Sequence, residues 1–159
     1  MHNDPESIAA ALGRIPSGCA ICTAASDRRA TGMLVSWFQQ AGFDPPHVTV
    51  ALRRERPISA LIHASGKLVL NLVGERESKA MFAQFGRGFG LDDDAFSGLT
   101  VSTSEFGPVL ESAIAALGCA VRSVHTAGDH EVYIAEVIAA RGDASHAPYV
   151  HLRRNGLSY

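Results

Sequence analysis

Basic residues are few in this 159-residue chain and run together in pairs at most. Lys and Arg number 14 against 16 Asp and Glu, a formal net charge of -2, and the longest basic runs are the pairs Arg28-Arg29, Arg53-Arg54 and Arg153-Arg154. That pattern argues against a broad phosphate-backbone footprint, so no nucleic-acid partner is expected. No apolar run reaches the ~18 residues of a membrane span. The opening MHNDPESIAAALG carries acids where a secretory leader would carry lysines. No membrane partner and a cytoplasmic address are expected.

Cysteine is scarce as well. Three residues, an odd number, make no disulfide framework. Cys19 and Cys22 form a C-x-x-C, but SGCAICTAA shows no helix signal after it, and a redox-active motif needs the helix dipole to lower a thiol pKa. In an extended strand, residues three apart face opposite ways, so both are read as core, and Cys119 with them. His2, His47, His63, His125, His146 and His151 lack ligand spacing. The acids of DDDAF lack the spacing and terminal glutamate of a calcium loop, which leaves a solvated turn or helix cap. No metal site is expected. No catalytic triad or carboxylate pair is visible.

What is present is ordinary globular composition, with 47% apolar and 19% charged residues, and one domain's worth of length. Asn3-Asp4-Pro5-Glu6 starts a short helix that Gly13 stops. Residues 19–25 and 33–38 read as a hairpin with its loop at 26–32, and 47–53 as the next strand. Ile58, Leu61, Ile62 and Ser65 recur at helical spacing between Pro57 and Gly66. A strand at 67–73 follows, then a helix at 78–85 stopped by FGRGFG, whose glycines lack the G-x-G-x-x-G spacing. The last third reads as a long hairpin, 114–124 with 131–140 turned at HTAGDH, and a short strand at 149–152 before an Asn-Gly turn. Strands prevail without βαβ alternation, which predicts a mainly β protein: an antiparallel barrel with short helices inserted.

Two apolar runs, 33–38 and 48–52, flank a connection that holds two glutamines, a glycine and a Pro-Pro pair, and Trp37, the only tryptophan, stands beside the break. Taken in series, IPSGCAICTA, TGMLVSWFQQAGFDPPHVTVAL, RPISALIHASGKLVLNLVGE, AGDHEVYIAEV and YVHLRRNGLSY resemble the flavin reductase-like family of FMN-binding split barrels over about residues 8–159. Within it, the chain is most similar to the C-terminal flavin-reductase module of diflavin flavodiiron proteins, here standing alone.

The resemblance implies a six-stranded antiparallel split β-barrel, a homodimer, and a flavin near the dimer interface. FMN is implied, with FAD as the alternative, and NAD(P)H as co-substrate. The electrons would go to an oxygenase or a flavodiiron-type acceptor. A flavoredoxin-like electron carrier without a nicotinamide site is the other reading. The resemblance places Gly32, Met33, Leu34, Val35, Ser36 and Trp37 beside the flavin, presenting backbone N–H groups where the strand stops. Trp37 and Phe38 offer walls, Gly32 close backbone approach, and Ser36, Gln39 and Gln40 polar handles. Family members usually carry small hydroxyl residues where this chain has Leu34-Val35-Ser36-Trp37.

RRERPIS resembles the family's phosphate-binding part, with Arg53, Arg56 and Ser59 around a helix start. Asn71, within an apolar run, would bond the ribityl chain or cap a neighbouring strand end. His130, in the match to the family's GDH, would be the catalytic histidine near flavin and nicotinamide; read as a bare turn residue, it is solvated surface. His151 and Arg153, in a tail that runs to Tyr159, are further candidates for contact with flavin or nicotinamide.

Overall fold

The computed structural model describes residues 3–142 and 144–157, so the tail's last two residues, Tyr159 among them, and His2 lie outside the described part. Three helices, α1 (Pro5–Leu12), α2 (Pro57–Ser65) and α3 (Ser78–Phe85), are set among eleven strands. These are β1 (Ser17–Gly18), β2 (Ala20–Ser26), β3 (Arg29–Val35), β4 (Phe38–Phe43), β5 (Pro46–Arg53), β6 (Lys67–Leu72), β7 (Val101–Ser104), β8 (Gly107–Leu110), β9 (Ala115–Ala127), β10 (His130–Gly142) and β11 (Val150–His151). Seven of them form one antiparallel sheet in the order β3-β2-β6-β9-β10-β5-β4; β1 with β11 and β7 with β8 make two small ribbons. The main sheet thus has one strand more than the six expected, and the extra strand is β4.

The strand order fixes the shape. β3 and β4 stand at opposite ends of the sheet, yet only Ser36 and Trp37 separate them in the chain. Across a flat seven-stranded sheet those ends would lie about 29 Å apart, and three Cα steps reach only about 11 Å. The sheet must therefore curl until its two edges meet, which makes a barrel split at Ser36-Trp37. Ala51 N donates to Trp37 O at 2.8 Å and ties the crossing to β5.

The barrel is filled by alternating side chains. Ala20, Cys22 and Ala24 of β2, Val48, Val50 and Leu52 of β5, Leu68 and Leu70 of β6, and Tyr133 and Ala135 of β10 join one core with Ile58, Leu61 and Ile62 of α2. The other face of β2, with Cys19 and Ile21, packs under α3 on Met81, Phe85 and Leu110. Cys19 and Cys22 thus lie in different cores, as strand geometry requires. Burial pushes the Cys19 thiol up to about 11 and Cys119 to about 12, away from thiolate chemistry.

Two hairpins are tighter than predicted. Strand pairing runs to Ser26–Arg29, so the first loop is only Asp27-Arg28, with Asp27 at φ 54°, a conformation that Asp tolerates better than most residues. Pairing of Ala127 with His130 reduces the second turn to Gly128-Asp129, with Gly128 at φ 60°. β4 gives no sequence signal, because FQQAGF forms an exposed edge with a bulge between Gln40 and Gly42 and has no buried face to alternate. The acids after α3 serve as caps: Gly90 N donates to Asp93 Oδ2 at 2.7 Å and Phe96 N to Asp94 Oδ1 at 3.2 Å. Among the described residues, no helix is long and apolar enough to cross a membrane.

Candidate functional site

A cavity of about 830 Å³ opens at the barrel split, a size typical of small-molecule sites. One wall is the end of β3, Thr31 to Val35, continuing through Ser36 and Trp37. The floor is Ala51, Leu52 and Arg53 of β5 with Arg56, Pro57 and Ile58 at the start of α2. Phe82 and the loop Gly86–Gly90 form the far side, and the tail from His151 to Asn155 closes the rim. β11 lies against β1, with Ser17 opposite His151, and Gly156 N donates to Ala9 O at 2.9 Å. The tail is thereby strapped to α1, and this places His151 and Arg153 at the cavity.

The charge of the lining is one-sided. Arg53, Arg56, Arg87, Arg153 and Arg154 line the cavity, and among the described residues no Asp or Glu does. None of the five forms an ion pair among the described residues. In a chain of net charge -2, this concentrates positive potential in one cleft. Two polar atoms in the lining are buried without a partner, Thr31 Oγ1 and Arg56 Nε. Buried donors left unmet are costly, and a bound polar ligand would satisfy them. α2 begins with Arg56 as its N-cap without a side-chain cap bond; Pro57 has no N–H and Ser59 N donates to Arg56 O at 2.9 Å, which leaves the Ile58 N–H uncapped at its start. Met33, Leu34, Val35, Leu52, Ile58, Phe82 and Phe89 supply apolar area. Apolar walls, a cationic rim and orphaned donors fit a planar phosphorylated cofactor such as a flavin nucleotide.

The structure brings together Gly32, Met33, Leu34, Val35, Ser36, Trp37, Arg53, Arg56, His151 and Arg153 of the expected residues. It places three elsewhere. Asn71 is fully buried, donating through Nδ2 to Ile21 O (3.2 Å) and Thr23 Oγ1 (3.2 Å) and accepting from Leu110 N at 2.8 Å. Its amide joins β6 to β2 and β8, which is the strand-capping alternative and not a ribityl contact. Ser59 is buried in the first turn of α2, its Oγ without a partner, and it is not among the residues that line the cavity. His130 is buried too, not solvated: its Nδ1 lies 2.8 Å from Asp129 Oδ1, and its ring centroid is 4.7 Å from that of Trp37. That hydrogen bond holds the Asp129 carboxyl below the usual carboxylate range. His130 therefore packs against Trp37 and is not among the residues that line the cavity.

Other expected contacts also change. The Trp37 ring is covered by Arg153, whose guanidinium carbon sits 4.8 Å from the ring centroid. Phe38 turns from the cavity to pack on Gly18, where an added Cβ would meet its ring at 3.1 Å. Gln39 and Gln40 are exposed on β4. Gly32 lines the cavity, but the close approach it permits is to Phe85 and Thr23 of the protein itself, at 3.0 and 3.2 Å from an added Cβ. Arg87, Phe82, Phe89 and Arg154 were missed by the sequence reading. The signal for the first was an arginine between the glycines of FGRGFG.

A split antiparallel barrel with an arginine-rimmed, apolar-walled cavity at the split defines a barrel with a site for a phosphorylated cofactor. The family model for the flavin reductase like domain matches residues 12–156, and the chain belongs to that family. Diflavin flavoprotein A 1 of Synechocystis sp. is 34% identical over 151 residues, 94% of this chain; the chain spans only 26% of that protein's length. A flavin reductase of Pseudomonas putida is 32% identical over 136 residues, covering 84% of this chain and 78% of the relative. The styrene monooxygenase flavin reductase of Pseudomonas putida S12 superposes with a TM-score of 0.78 at 25% identity, covering 91% of this chain and 92% of the other.

Proposed function

We propose that this domain binds FMN in the split cavity and catalyses its reduction by NAD(P)H. The single observation that carries the reading is the cavity itself: five arginines and no carboxylate around apolar walls, with Thr31 Oγ1 and Arg56 Nε buried and unmet. When bound, a flavin supplies the redox chemistry, accepting a hydride from the nicotinamide and passing the electrons to an acceptor.

The protein's part is binding and alignment. Arg53 and Arg56, with the Ile58 N–H at the start of α2, hold the phosphate through guanidinium forks and that backbone donor. Thr31 offers its hydroxyl to the polar part of the cofactor. The backbone at Ser36-Trp37, where the chain leaves one sheet edge for the other, faces the ring edge. Trp37, fixed between His130 and Arg153, shapes access to the ring, and His151 and Arg153 place positive charge where the reduced ring becomes anionic. No side chain is needed as a nucleophile.

The chain acts as a homodimer in this reading, supported by the bare edge of β4 and by Phe43, which is 91% exposed. A cytoplasmic address and an oxygenase or flavodiiron-type acceptor belong to the same proposal. The test is anaerobic stopped-flow of FMN-loaded protein against NADH and NADPH, following the visible flavin absorbance. Rapid bleaching is expected. Retention of flavin with no bleaching by either nucleotide would refute a reductase and leave an electron carrier of the flavoredoxin kind.

A further inference from the structure

The assignments above engage three of the five cavity arginines in flavin binding or in covering Trp37, and leave Arg87 and Arg154. Both are exposed at the cavity mouth and neither is ion-paired among the described residues. Both are also held in place. Arg87 sits in a loop pinned by Gly86 N to Phe82 O (3.0 Å), Gly88 N to Phe85 O (3.1 Å) and Gly90 N to Asp93 Oδ2 (2.7 Å), with Gly88 at φ 73°. Arg154 sits between two anchors of the tail, Arg14 Nη2 to Arg153 O at 3.2 Å and Gly156 N to Ala9 O at 2.9 Å. Phe82 and Phe89, beside Arg87 in the lining, offer aromatic faces for a base. The nearby acids do not enter the cavity: Asp92 pairs with Arg29 at 3.6 Å, while Asp93 and Asp94 accept backbone N–H groups.

We infer that Arg87 and Arg154 form a second anion site that takes the 2′-phosphate of a phosphorylated nicotinamide dinucleotide, so that the domain prefers NADPH to NADH. The inference rests on the reductase reading above. Its reason is the chemistry of the two donors. In doubly wound dinucleotide folds a carboxylate accepts the hydroxyl protons of the free vicinal diol of NADH, and such a carboxylate would repel a phosphate. Among the described residues, the lining offers no carboxylate. A phosphomonoester carries about -1.5 to -2 charge and three acceptor oxygens, the natural partner of paired guanidinium groups.

The experiment is a calorimetric titration of the FMN-loaded full chain with adenosine 2′,5′-bisphosphate and with adenosine 5′-monophosphate, alongside NADPH and NADH reduction rates. The bisphosphate should bind about fivefold tighter or more, as expected for contacts from two exposed guanidinium groups. In R87A/R154A that advantage and the NADPH-to-NADH ratio of kcat/KM should both fall toward one. Equal binding of the two adenosine probes, with either nucleotide bleaching the flavin, would overturn the inference and leave the reductase standing. A double variant that loses FAD affinity but keeps its bisphosphate preference would overturn it too, and assign the arginines to the outer phosphate of a dinucleotide flavin. Failure of both nucleotides to bleach the flavin would instead remove the reductase reading and, with it, the inference.

Discussion

Replacing Arg56 with Met tests the flavin site where its geometry is most committed. Arg56 is half-buried and its Nε is buried with no partner in the protein, so its guanidinium awaits a ligand in a poorly hydrated place. A hydrogen bond to a charged group contributes about 1.5–3 kcal/mol, so Arg56→Met should raise the Kd for FMN about tenfold to a hundredfold. Arg53 is exposed, and an exposed charge contributes about 1 kcal/mol or less. Arg53→Met should therefore cost no more than about fivefold. Met keeps most of the side-chain volume, and α2 does not depend on an Arg56 side-chain cap, so the fold should be untouched. Flavin fluorescence quenching reads the affinity and circular dichroism confirms the fold. Higher salt should weaken FMN binding to the parent more than to Arg56→Met. A folded Arg56→Met protein with Kd within twofold of the parent, or a larger loss for Arg53→Met, would refute the phosphate assignment.

Asn71→Leu should lower stability by about 2–3 kcal/mol, because Leu110 N loses its buried acceptor, while FMN affinity stays the same; thermal melting of apo protein and FMN titration check the two halves, and a specific loss of affinity would return Asn71 to the cofactor site. Gly156→Ala would set a Cβ 2.1 Å from Leu12 Cβ and 2.9 Å from Gly13 N. The tail should detach from α1, and hydrogen exchange at 151–156 should quicken as FMN binding weakens. Stability should also fall above pH 9, the ordinary thiol value in this chain. There the unfolded chain releases protons that Cys19, held up to about 11, and Cys119, held up to about 12, keep when folded. Each such thiol contributes a slope of about 1.4 kcal/mol per pH unit between its two values. Urea unfolding at pH 8 and pH 10 measures it, and Cys119→Ala should shrink the difference by that one thiol's share, because Cys19 and the likewise raised Cys22 thiol remain.

Periodicity alone was enough for the mainly antiparallel fold, the three short helices and the opposite facing of Cys19 and Cys22, because each depends on neighbours a few residues away. The series of motifs over about residues 8–159 also carried the family and most of the cavity wall, since Gly32 to Trp37, Arg53, Arg56, His151 and Arg153 all came to the cleft. Three things depended on contacts between distant segments. β4 pairs with β5 as an exposed edge, so its sequence needs no apolar alternation. Asn71 and His130 looked like cofactor contacts as isolated polar residues, but β8 claims the first and Trp37 the second. Arg87 and Arg154 show only weak local signals, an arginine between the glycines of FGRGFG and the second of an Arg-Arg pair. Only the curling of the sheet, which brings its two edges to Ser36-Trp37, and the strapping of the tail to α1 place them on one cavity, because a binding site is set by where the chain returns in space and not by what stands beside each residue in sequence.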